Sequence, residues 1–159
     1  MVELMELLRG SPDDRALRTA ALLRRSHPAD KELQLAGLLH DVGRMLRPGD
    51  GVRHAVLAAQ ALRPLLGDRV ALLIRAAGTA DGTGGPGGGP GGGPGGGPDD
   101  AEAVATLHRA REAAGASGPD AGVLEDWRPL LELVAAGSCR AANVIDPLGP
   151  PRGSITRTG

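Results

Sequence analysis

The chain has no phenylalanine, no tyrosine and a single tryptophan, Trp127. Its core must therefore be built from leucine, valine and alanine, which suits close-packed helices better than a sheet, where aromatic and β-branched residues are favoured. Cysteine is just as scarce. Cys139 stands alone, which excludes an internal disulfide framework and suits a reducing compartment. Neither sign of charge is in excess: the net charge is -1 over 159 residues, so no footprint for nucleic acid or an anionic membrane surface is present. No apolar run approaches the roughly 18 residues that a membrane span needs. Glu3 and Glu6 interrupt the apolar N-terminal stretch and make it a poor secretory signal. The expectation is one soluble, cytoplasmic, all-α domain, long enough to bury a helical core.

The pattern of breakers and caps divides the chain into helices. Val2 to Arg9 reads as a short amphipathic helix closed by Gly10. Ser11-Pro12-Asp13-Asp14 places a capping serine, a first-turn proline and two acids at the start of a second helix, which runs to about Arg25. After the turn at Ser26-His27-Pro28-Ala29, Asp30 caps a third helix carrying Leu33, Leu35, Ala36, Leu38 and Leu39. Residues 47–51 read as a loop, and His54 falls in the first turn of the next helix, which Pro64 bends or ends. Gly67-Asp68 opens another helix, to about Ala77. A GGGP repeat then fills Gly82 to Pro98 almost without side chains, and cannot bury enough apolar surface to offset its ordering entropy. It is predicted to be a disordered linker inside the domain. Asp99-Asp100 caps a helix to about Ala114, and another spans about Ala121 to Ala136. The expected domain covers 1–136, with 137–159 as a disordered tail.

The stretch Leu35-Ala36-Gly37-Leu38-Leu39-His40-Asp41-Val42-Gly43 stands out, because an apolar helix ends there in an adjacent His-Asp pair. On a regular helix, neighbouring side chains point about 100° apart and would not share a target. At a fraying last turn the two can converge, with Gly43 taking the left-handed conformation that ends helices. An imidazole and a carboxylate so placed make half of a divalent-metal site.

The words LAGLLHDVGRML and His54, with the runs Leu62 to Arg75 and Leu124 to Leu131, give this chain a family resemblance. It resembles the HD superfamily of metal-dependent phosphohydrolases. Within that superfamily it is similar to the branch related to myo-inositol oxygenase and to the HD-fold di-iron oxygenases that cleave phosphonates. The resemblance spans roughly residues 12–77 and 99–136. It implies a helical HD bundle and a divalent metal, iron or manganese, on His40, Asp41 and His54, a 2-His-1-carboxylate set.

The same resemblance exposes losses. Arg15, Ala77 and Arg111 stand where the resembling oxygenases place a histidine, a second histidine and an aspartate. The cationic word expected to bind substrate is also missing, and the GGGP tract falls where active-site sequence is expected. Half of the ligand set is thus replaced, too much for a di-iron centre. If Arg15 and Arg111 point inward, their charges can offset Asp41 in place of metal. His108, one turn before Arg111, is a candidate substitute ligand that reads better as a surface residue. Glu125 and Asp126 read as helix-start charges, Trp127 as packing, and Cys139 as chemically idle. Two functions follow. The favoured one is a degenerate, non-catalytic HD domain retaining at most a mononuclear metal site. The alternative is an active phosphohydrolase, or an iron oxygenase, acting on a small phosphorylated or phosphonate molecule.

Overall fold

The structure, a computed structural model, describes residues 2–10, 14–46, 53–79, 97–116 and 122–144. Among these residues the chain is helical and no strand occurs, as the missing aromatics predict. The order is α1 (Val2–Arg9), α2 (Asp14–Ser26), α3 (Lys31–Leu39), α4 (Val42–Leu46), α5 (His54–Leu66), α6 (Asp68–Thr79), α7 (Pro98–Ala116), a 3-10 turn (Leu124–Trp127) and α8 (Arg128–Val144). The cap predicted at Ser11-Pro12, the loop at 47–51, the GGGP tract up to residue 96 and the chain beyond Val144 lie outside the described residues. No helix among the described residues is long and apolar enough to cross a membrane.

Helix α3 is the centre of the bundle. Every residue from Leu33 to Leu39 is buried, because α2, α6, α7 and α8 all pack around it. A helix apolar on all sides is stable only in such a setting. Gly37 allows the closest of these approaches: a Cβ there would overlap the Leu23 side chain on α2 and press on the Ala20 backbone. The fully buried set is mostly leucine, including Leu23, Leu35, Leu66, Leu73, Leu107 and Leu131, with Trp127 packed against it.

The start of α3 is pinned by charge. Asp30 caps the helix, its Oδ1 accepting from the Leu33 N–H at 3.0 Å. Arg69 of α6 then grips both Asp30 oxygens at 2.7 Å, and also reaches Glu32 at 3.0 Å and Asp100 at 3.1 Å. One guanidinium thereby joins the first turns of α3 and α7 to α6.

Two predicted boundaries are corrected. Pro64, expected to bend or end the helix, does not end it: α5 continues to Leu66 and stops at Gly67, whose φ of 91° few other residues adopt. The last helix does not end near Ala136, and residues 137–144 are helical rather than a disordered tail. Ser138 explains part of this, since its Oγ donates to the Val134 carbonyl at 3.1 Å and lies over Gly67 at the end of α5.

Candidate functional site

The apolar run of α3 ends at Leu39, His40 and Asp41 form a turn, and the chain re-enters a helix at Val42. Gly43 does not supply the predicted left-handed cap. The positive-φ glycines among the described residues are Gly67 and Gly122. Gly43 serves close approach instead, because a Cβ there would overlap the backbone carbonyl of His54. Its missing side chain lets α4 meet the start of α5, and so brings the His-Asp turn up to the helix that begins with His54.

The turn does make the pair converge. His40 is only 2% exposed, and its Nδ1 lies 2.8 Å from the Gly37 carbonyl, to which it must donate. That bond fixes a proton on Nδ1 and leaves Nε2 facing Asp41 Oδ2 at 3.0 Å. Nε2 is buried and off the axis of a good hydrogen bond, so this close contact does not satisfy it. An unsatisfied ring nitrogen beside a carboxylate oxygen at this separation is a pair that a shared cation would suit. Burial pushes the Asp41 carboxyl up, but His40, then Arg44 and Arg111, outweigh it and hold the group down at about 2. Arg44, one turn on, sits 3.7 Å from Asp41 Oδ1.

The positive charge of Arg111 comes from α7. Its side chain is 6% exposed, and its Nη1 donates to the carbonyl of Ala77 near the end of α6. Arg15 donates through Nη2 to the Arg111 carbonyl at 3.4 Å and runs along Gly115. The three positions predicted as lost ligands are thus joined by hydrogen bonds into one network. The expectation that both arginines turn inward is half corrected. Arg111 is buried and acts on Asp41, whereas Arg15 stays exposed at residue level and reaches the backbone of α7. Its position on the first turn of α2, at the rim of the bundle, leaves it solvent.

The predicted metal set is therefore distributed as follows. His40 and Asp41 are in contact, and His54 is buried at the start of α5 with its backbone against Gly43. Among the described residues no three His, Cys, Asp or Glu side chains gather to hold a metal ion. His108 is half-buried on α7 and belongs to no such group. Glu125 pairs with Arg9 at 3.1 Å on the surface, and Cys139 is exposed with a free thiol. Sequence reasoning missed Arg44 as a neighbour of Asp41, although the i,i+3 spacing was there to be read. It also missed the roles of Gly37 and Gly43, for which a glycine inside an apolar helical run was the available signal.

An all-helical bundle with an adjacent His-Asp pair at a break after its central helix defines a class of protein. The family model described as HD domain matches residues 13–115, and the chain belongs to that family. The family is of the metal-dependent phosphohydrolase type, and its members generally bind divalent metals. Neither the curated proteins nor the solved structures gave a match to this chain. Tested against such a metal, the residues fit in part. The unsatisfied His40 Nε2 beside an ionised carboxylate has the chemistry of a half-site, but the arginine buried nearby does not fit a second metal.

Proposed function

We propose that this chain is a degenerate HD domain, non-catalytic and serving as a binding or scaffold module, in which a side-chain cation does part of the work of a metal. The observation that carries this reading is Arg111, a buried guanidinium bonded to the carbonyl of Ala77, which adds to the stronger effects of His40 and Arg44 in holding the Asp41 carboxyl down. A fixed positive charge there repels a second cation and leaves Asp41 a poor bridge between two metals. Oxygenase chemistry of the resembling di-iron kind has no support in that setting.

A second reading rests on one specific observation, the buried His40 Nε2 that faces Asp41 at 3.0 Å without a good hydrogen bond. His40 and Asp41, joined by His54 if its side chain turned to them, would hold a single divalent ion, which when bound would polarise a phosphoester and lower the pKa of water. His40 would be oriented by its Nδ1 bond to Gly37.

Hydrolysis of a phosphoester such as p-nitrophenyl phosphate, with added manganese or ferrous ion, separates the readings. Non-catalytic function predicts turnover no greater than that of Asp41→Ala. Metal-dependent turnover that disappears in Asp41→Ala would establish the second reading instead.

A further inference from the structure

Away from the His-Asp turn, the corner between α2 and α3 and the start of α8 enclose an open depression of about 280 Å³. Its chemistry is mixed in a definite way. Arg24 and Lys31 stand on the α2–α3 side, Asp126 on the 3-10 turn opposite, and Leu130 and Leu133 on α8. Among the described residues no ion pair joins either cation to Asp126. Lys31 donates to the Pro28 carbonyl, and Arg24 stacks over the Trp127 ring with its Cζ 5.5 Å from the centroid. Leu133 is 57% exposed.

Gln34 forms part of the same wall and supplies the second observation. It is 1% exposed, and its Nε2 donates to the His27 carbonyl at 2.7 Å. A carbonyl only accepts, so that bond fixes which end of the amide is nitrogen. The other end, Oε1, is buried and has no hydrogen-bond partner. An unmet buried acceptor is costly, and a donor from outside the chain would relieve it if the wall opened slightly on binding.

From these features we propose that the depression binds a free α-amino acid with a medium-sized apolar side chain. Its ammonium group answers Asp126 and the Gln34 oxygen, its carboxylate answers Arg24 and Lys31, and its side chain covers Leu130 and Leu133. A simple anion would also face Asp126 and a simple cation the two basic groups, so a zwitterion suits both walls better than either. The volume lies just below the usual range of small-molecule sites, which favours a small ligand.

Trp127 is the sole tryptophan and lines this depression, so intrinsic fluorescence registers changes around it. The test titrates the full chain with leucine, with leucine amide, which lacks the carboxylate, and with N-acetyl-leucine, which lacks the ammonium. A saturable change is expected with leucine and not with the two derivatives. Asp126→Asn and Lys31→Gln should each weaken leucine binding about tenfold, the loss of one charge-assisted hydrogen bond. No saturable response to leucine overturns the proposal and leaves the Gln34 oxygen to a water molecule. An equal response to all three compounds, or undiminished binding by both folded variants, overturns it too. The compound series on the unaltered chain decides the matter even if a variant fails to fold, with circular dichroism as the check.

Discussion

A guanidinium that is 6% exposed persists only where its charge is compensated, and Arg111 is met by the Ala77 carbonyl and by the field of Asp41. Arg111→Met should therefore destabilise the fold by about 1–3 kcal/mol, because the Ala77 carbonyl loses its charged donor and Asp41 loses one of its weaker compensating charges. Urea denaturation measures this, and Arg111→Met combined with Asp41→Asn should recover part of the loss. A single variant no weaker than an exposed arginine replacement would contradict the assigned role. Gly43 offers an independent test at the same scale. A Cβ there meets backbone rather than a movable side chain, so Gly43→Ala should cost about 1–3 kcal/mol as overpacking, seen as a lower melting temperature. Gly137 of α8 is its control, since a Cβ added there would enter open space: Gly137→Ala should stabilise by about 0.5–1 kcal/mol.

Among the elements, α3 was the most legible in the sequence, since Asp30 announces its start and an unbroken apolar run demands burial on all sides. Its end was legible only in part. The His-Asp pair stood out as a dipeptide, but its convergence depends on a turn between two helices that no local residue preference specifies. The outward reach of Arg15 and the inward one of Arg111 were equally hidden, because each depends on packing between α2, α6 and α7. The end of α8 was missed because the chain after Ala136 turns rich in Gly, Ser, Arg and Pro, whereas the seating of Ser138 over Gly67 is a tertiary effect. The Arg69 cluster was also invisible, as its acids come from α3 and α7, far apart in the chain. That cluster gives a pH prediction. Asp30 is held below the usual carboxylate range first by Arg69, against burial, and then by the Leu33 N–H, with His27 adding a smaller effect. Glu32 and Asp100 face the same guanidinium. A lowered folded pKa means that the contribution is full above the unfolded value of about 4 and fades as pH falls through the folded one. Asp30→Asn keeps a capping side chain but cannot ionise. Wild type should exceed it in urea midpoint at pH 7, and the two should draw together below about pH 4. A gap that stays constant to pH 3 would remove Arg69 as the cause.

For the molecule as a whole, we propose a single HD domain whose helices meet around α3, with the chain on both sides of residues 80–96 contributing to one core. Leu107 of α7 and Leu131 of α8 are buried in the same cluster as Leu35 and Leu73, which supports that reading. The central claim is that this core balances the Asp41 charge with its own side chains, Arg111 among them, and needs no metal to stand. Metal content answers it most directly, measured by elemental analysis on protein purified without oxygen, for wild type and His40→Ala, beside melting curves with and without chelator. The account predicts no stoichiometric metal in either protein and a melting temperature indifferent to chelator. One metal per chain, lost in His40→Ala and coupled to a chelator-sensitive melting temperature, would contradict it.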